Sequence, residues 1–267
     1  MDLLTLSQAA FLGFVEGLTE FLPVSSTGHL LIFDELIGFR GPPGKVFEIV
    51  VQLGAILAVC WLYRRRLVDA TVGLTTDPAA RAFARNVILA FLPAMVIGFF
   101  AHGYIKSVLF NPWVVSVSFI VGGVAILLIE RMVHTARWHE VEAMPSHVSL
   151  RIGLFQCLAM VPGVSRSGAT IMGALLMNVD RRTAAEFSFF LAIPTMLAAT
   201  AYDIFKSRAV LTLDGLGLIA VGFVVAFVSA LVVVKLFIAF VSNHGFAPFA
   251  YYRIAAGVAV LAVLLMR

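Results

Sequence analysis

Two carboxylates, Glu16 and Glu20, stand four residues apart in an otherwise apolar run, which puts them on one face of a helix. Close carboxylates repel unless a cation, an arginine or a shared proton lies between them. A hard divalent cation takes oxygen ligands of this kind, commonly one or two carboxylates plus substrate phosphates. The plainer alternative is a structural pair neutralised by an arginine from elsewhere in the chain. Directly after come Ser25, Ser26, Thr27, Gly28 and His29, ahead of an apolar stretch at 30–38. That stretch predicts a helix whose first N–H groups attract anions. With hydroxyls and carboxylates around it, His29 reads as an acid/base or a nucleophile and not as a core histidine. His102, His134, His139, His147 and His244 fall at span ends or in loops and read as solvated.

A second cluster, Ser165-Arg166-Ser167-Gly168-Ala169-Thr170, also leads into an apolar stretch. Arg166 offers a planar fork of donors suited to phosphate oxygens. Ser165, Ser167, Thr170 and the helix-start amides around Gly168 complete an anion cradle. In the absence of phosphate the partner expected for Arg166 is Glu16, Glu20, Glu48 or Glu186. Glu48 and Glu186 read as structural acids, each tying a span to the facing cluster, with Gln52 one turn on from Glu48. The sum is phosphate chemistry among apolar segments, which suits a substrate with a phosphate head and a lipid tail.

The elements that must position these groups are membrane helices. Of the 267 residues, 61% are apolar and 13% charged, with a mean hydropathy of +1.01, whereas a soluble domain carries roughly 25% charged residues. That excludes a water-soluble domain, a disordered chain and a disulfide scaffold. Cys60 and Cys157 lie in apolar runs without metal-ligand spacing. The net charge of +4 reads as topology signal, with no nucleic-acid partner. Residues 1–30 carry no basic leader or small-residue cleavage site and read as mature protein.

Six stretches, 46–63, 86–105, 112–132, 183–203, 216–241 and 247–266, are long enough to cross a hydrocarbon core of about 30 Å. Residues 3–37 and 150–178 each read as helix, polar break, helix. Such breaks must be buried in protein or line a cavity, because lipid cannot satisfy their backbone groups. The chain also repeats: LPVSSTG at 22–28 answers VPGVSRSG at 161–168, Phe47-Glu48 answers Glu186-Phe187, and Gly123-Val-Ala answers Gly257-Val-Ala. Repeats of about 1–133 and 150–267 within a single membrane domain follow. Each holds one re-entrant broken segment and three spans, and three crossings invert the second repeat. The fold class expected is an all-α polytopic membrane protein with an inverted-topology repeat, about six transmembrane helices and two re-entrant segments. A cytoplasmic loop at 64–85 places twelve of the 19 basic residues, Arg253 among them, on or near that side. Six, Arg40, Lys45, Lys106, Lys206, Arg208 and Arg267, face out, and Arg166 lies in a break. This orientation opens the first break to the outer face.

The run from Glu16 to His29, with Pro162 to Thr170, resembles the bacterial undecaprenyl-diphosphatase family of the bacitracin-resistance (BacA/UppP) type, over essentially the whole chain. The resemblance implies hydrolysis of undecaprenyl diphosphate to the monophosphate and phosphate. That reaction recycles the lipid carrier for peptidoglycan in the bacterial inner membrane and confers bacitracin resistance. It implies a divalent cation, Mg²⁺ or Ca²⁺, and a site opening to the periplasm. It assigns Glu16 and Glu20 to metal or acid/base work, and Ser26 and His29 to nucleophile and base in either order. Arg166, with Ser165, Ser167 and Thr170, becomes the diphosphate clamp, joined by Ser25, Thr27 and Gly168. The type-2 phosphatidic acid phosphatases share Ser-Gly-His and Ser-Arg elements, but they want a histidine where this chain has Met172. A lipid flippase or secondary transporter is the competing class, since inverted repeats with broken helices are typical of transporters. Oligomeric state, a homodimer included, is not legible.

Overall fold

A computed structural model describes residues 3–39, 41, 46–104, 109–132, 135–207 and 215–266, of which 102–104, 206 and 207 are described in backbone only. Eleven α-helices lie among them: α1 Leu3–Thr19, α2 Ser26–Ile37, α3 Val46–Leu62, α4 Arg64–Val72, α5 Pro78–Tyr104, α6 Pro112–Met132, α7 Ser146–Gln156, α8 Arg166–Leu176, α9 Arg181–Ser207, α10 Leu216–His244 and α11 Ala247–Met266. Outside the described residues lie His134 and, from the outward-facing set, Arg40, Lys45, Lys106, Arg208 and Arg267.

α5, α6, α9, α10 and α11 are long and apolar enough to cross a membrane, and α3 reaches that standard together with α4. This is an all-α polytopic membrane protein. The 64–85 segment, expected to be a loop, is mostly helical. α4 turns away from α3 by 72°, a short 3₁₀ turn spans Gly73–Thr75, and α5 begins at Pro78. Arg64, Arg65 and Arg66 therefore sit on a short helix, where long basic side chains can reach outward from its apolar contacts.

Close backbone approach builds the bundle. α1 lies against α10 at Gly13 and Gly17, where a Cβ would run into the backbone of Gly222 and Ala226. Small residues allow such contacts between membrane helices. α11 lies along α6, α10 along α3, and α7 against α5 and α8. The larger buried cluster centres on Phe21, Phe187, Phe189, Phe190 and Phe237, with Ile152 and Ile171. Its aromatic edges, as in the Phe21–Phe189 T-shaped pair at 5.2 Å, fix the turn after α1 against α9.

Candidate active site

Both expected breaks exist, and they share a local design. The first runs between α1 and α2. The second follows α7 through a 3₁₀ turn at Cys157–Met160 and ends where α8 begins. Ser25 caps α2 with φ 72° and Ser165 caps α8 with φ 79°. Non-glycine residues in this region carry roughly 1–3 kcal/mol of strain and persist only where the surroundings hold them. Each serine accepts a hydrogen bond on Oγ from a glycine amide three residues on, Gly28 at 3.4 Å and Gly168 at 3.0 Å. The Gly168 amide is thus engaged by the cap and not offered to a ligand.

The two breaks meet through Glu20. Its Oε1 accepts from Arg166 Nη2 at 2.9 Å, and its Oε2 accepts from the Ser26 hydroxyl at 2.5 Å. Arg166 Nη1 donates to the Ser188 carbonyl at 2.7 Å and to the Ser188 hydroxyl at 3.2 Å. Its Nε is buried with no hydrogen-bond partner among the described residues. Of the four acids considered for Arg166, Glu20 forms the ion pair.

His29 stands apart from that triangle. Its Nδ1 lies 2.8 Å from the Ser25 carbonyl and its Nε2 lies 2.7 Å from the Tyr252 hydroxyl, with the two rings stacked. The pairing of Ser26 with His29 as nucleophile and base is therefore not the one seen: Ser26 faces Glu20, while His29 is four residues from Ser25 along the same helix start. Ser167 and Thr170 also turn inward. Ser167 donates to the Leu22 carbonyl at 2.7 Å, and Thr170 bonds the Arg166 carbonyl and the Ser188 hydroxyl. Both are fully buried and hold the cradle together from behind.

A cavity of about 460 Å³ opens on the triangle, within the range of small-molecule sites. Its polar end is made by Glu20, Ser25, Ser26, Thr27, Ser165 and Arg166, flanked by Gln52 and Gln156. The rest is mainly apolar and includes Phe91, Met95 and Phe99 of α5, Met160, and Met196 with Tyr202 of α9. A charged head fits one end and an apolar chain the other. Ser167, Gly168, Thr170 and His29 do not line it.

Glu16 lies behind Glu20, 1% exposed, with neither carboxylate oxygen bonded to a donor among the described residues. Its electrostatic neighbours are Glu20, Arg166 and Glu48. Buried, unpaired carboxylate oxygens demand a proton or a cation. The donor set suits a hard divalent ion such as Mg²⁺, which binds through one or two carboxylates with substrate phosphates completing its shell. Among the described residues no group of three or more His, Cys, Asp or Glu side chains could hold a metal by itself.

Glu186 does not tie its span to a break. It pairs with Arg182 at 3.1 Å and Arg66 at 3.5 Å, binding α9 to α4 at a helix end. Arg253 differs most from expectation. It is 1% exposed and bonds to carbonyls of both breaks, so it drops out of the basic residues expected on the side of 64–85. Ser188, Tyr252 and Gln156 were also not singled out by the sequence. A serine, a tyrosine and a glutamine inside long apolar helices are the signal that could have marked them.

The family model described as bacitracin resistance protein BacA matches residues 9–259. An undecaprenyl-diphosphatase 2 of Paramagnetospirillum magneticum is 60% identical over 260 residues, 97% of this chain and 99% of that protein. An undecaprenyl-diphosphatase of Sphingopyxis alaskensis is 57% identical, covering 94% and 95%. One from Aromatoleum aromaticum is 51% identical over 98% and 96%.

Proposed function

This chain belongs to the bacitracin resistance protein BacA family, and we propose from that premise that it is an integral-membrane undecaprenyl-diphosphate phosphatase. It hydrolyses the C55 polyprenyl diphosphate to the monophosphate and phosphate, returning the lipid carrier to peptidoglycan synthesis. The observation that carries the reading is Glu20, which joins the Ser26 hydroxyl and the Arg166 guanidinium at the polar end of an otherwise apolar cavity.

In the mechanism we favour, the polyprenyl chain lies along the α5–α9 wall and the diphosphate reaches the breaks. Arg166 and the hydroxyls of Ser25, Thr27 and Ser165 hold the phosphate oxygens, since phosphoryl transfer depends mainly on positioning and charge stabilisation. Gln156 adds an amide nitrogen that has no partner among the described residues. Ser26 Oγ attacks the terminal phosphorus and passes its proton to Glu20. The bond to the bridging oxygen breaks, and undecaprenyl phosphate leaves with the proton that Glu20 hands back, which frees the carboxylate. Water then attacks the phosphoserine with Glu20 taking its proton, the bond from phosphorus to Ser26 Oγ breaks, Glu20 returns the proton to Ser26, and phosphate departs. Glu16 and Glu20 would hold a divalent cation, Mg²⁺ or Ca²⁺, which when bound supplies charge neutralisation at the phosphate oxygens. His29 serves as a positioning group for the Ser25 turn.

The matching break geometries support an inverted repeat of about 1–133 and 150–267. The excess of basic residues on the α4 side supports a cytoplasmic α4 and a site reached from the periplasm. Phosphate release from undecaprenyl diphosphate by the detergent-purified chain tests the function, with lipid translocation measured separately in vesicles. Release establishes the hydrolase. Translocation without release would instead make the chain a flippase.

A further inference from the structure

The guanidinium of Arg253 uses all five of its N–H donors on five different backbone carbonyls. Nη1 donates to Pro23 at 3.0 Å and Val164 at 2.8 Å. Nη2 donates to Gly163 at 2.8 Å and Ser118 at 2.9 Å, and Nε reaches Phe119 at 3.4 Å. No carboxylate lies within ion-pair distance among the described residues. Pro23 belongs to the first break, Gly163 and Val164 to the second, and Ser118 and Phe119 to α6. One side chain from α11 therefore joins both breaks to a continuous helix.

Buried carbonyls in a non-helical break each need a donor. A single fork that supplies three of them also fixes their spacing, because a guanidinium is planar and rigid. Val164 immediately precedes Ser165, and Pro23 stands two residues before Ser25. These two serines are the caps held at positive φ. The groups that must meet come from opposite sides of this junction, Glu20 with Ser26 from the first break and Arg166 from the second. Gly122 leaves the space behind the fork, since a Cβ there would run into the guanidinium.

We propose that Arg253 is the positioning residue that sets the register between the two breaks, so that Glu20 and Arg166 meet across them. This rests on the phosphatase reading for its kinetic consequence but not for its geometric one. Arg253 does not line the cavity described above and takes no part in bond making.

The test uses Arg253→Lys, which keeps the charge but offers three donors on a compact ammonium. Gly122→Ala is the second variant, pressing on the fork without altering it. Each full-length variant is purified and its kcat, KM and thermal midpoint are measured with undecaprenyl diphosphate. Spin labels at Leu36→Cys and Leu158→Cys, both exposed positions, in a background lacking Cys60 and Cys157, report the distance between the segments that flank the breaks. Expected is a folded Arg253→Lys protein with kcat down about 100-fold, as an ångström-scale misplacement gives. Its KM stays within about threefold of wild type, and a narrow distance distribution turns broad. Gly122→Ala shifts both readouts the same way. A wild-type kcat in Arg253→Lys, or an unchanged distance distribution, overturns the proposal. If Arg253→Lys does not fold, Gly122→Ala decides, and if neither folds Arg253 is structural and the proposal falls. A wild type that releases no phosphate defeats the phosphatase reading, while the distance distributions still decide the role of Arg253.

Discussion

Ser26 donates its hydroxyl to Glu20 at 2.5 Å, and the same carboxylate accepts from Arg166 at 2.9 Å. A carboxylate in that place can accept the serine proton while the arginine keeps it oriented and balances its charge. Glu20→Gln removes the charge and the base but keeps the volume. Loss of a positioned acid/base group costs about 10²–10⁴-fold in rate, and Glu20→Gln is expected to lose kcat in that range in a phosphate-release assay, with the protein still folded.

His29 has both ring nitrogens engaged away from Ser26, on the Ser25 carbonyl and the Tyr252 hydroxyl. If it positions the Ser25 turn, a side chain that can donate to that carbonyl should retain activity. His29→Gln is expected to keep at least about tenfold more kcat than His29→Ala, the worth of one hydrogen bond. Equal and complete loss in both variants would assign His29 to the chemistry itself.

Glu16 has two buried oxygens without donors. If they help to hold a divalent ion, Glu16→Gln should weaken it. Removing a group that supports a metal typically costs 10–100-fold in affinity, and a rightward shift of about that size is expected in the Mg²⁺ dependence of phosphate release. Direct Mn²⁺ binding, followed by electron paramagnetic resonance, should move in parallel. Superimposable Mg²⁺ curves would remove Glu16 from the metal site.

The break residues were legible because polar residues in a membrane segment are costly and stand out against apolar flanks. Glu20, Ser26 and Arg166 could be selected by type and spacing, and the structure brings those three together. Which hydroxyl faces the cavity was not legible. Ser167 and Thr170 look like Ser25 and Thr27 in sequence, yet rotation around α8 turns them towards Leu22 and Ser188. Arg253 was misplaced for a similar reason. A lone arginine near the start of an apolar span reads as a surface charge, and only the fold shows five carbonyls converging on it. The bend after Leu62 escaped because an arginine run signals topology more strongly than it signals helix.

Arg66 anchors α4 through Glu142 at 2.9 Å and Glu186 at 3.5 Å, with its guanidinium over Phe83 and Phe190. None of these groups lines the cavity. Arg66→Ala is expected to lower stability by about 1–2 kcal/mol, measured by thermal or denaturant unfolding in detergent. Activity per folded molecule should not change. A selective loss of kcat would show that α4 communicates with the site.

The most direct measurement follows undecaprenyl diphosphate labelled with ³²P in its terminal phosphate through a rapid acid quench. The expected result is acid-stable label on the protein, mapped to the peptide that contains Ser26, chased into free phosphate by unlabelled substrate and absent from Ser26→Ala. Acid-labile label on a histidine peptide, or phosphate released with no label ever on the protein, would contradict the assignment of Ser26 and Glu20 as nucleophile and base.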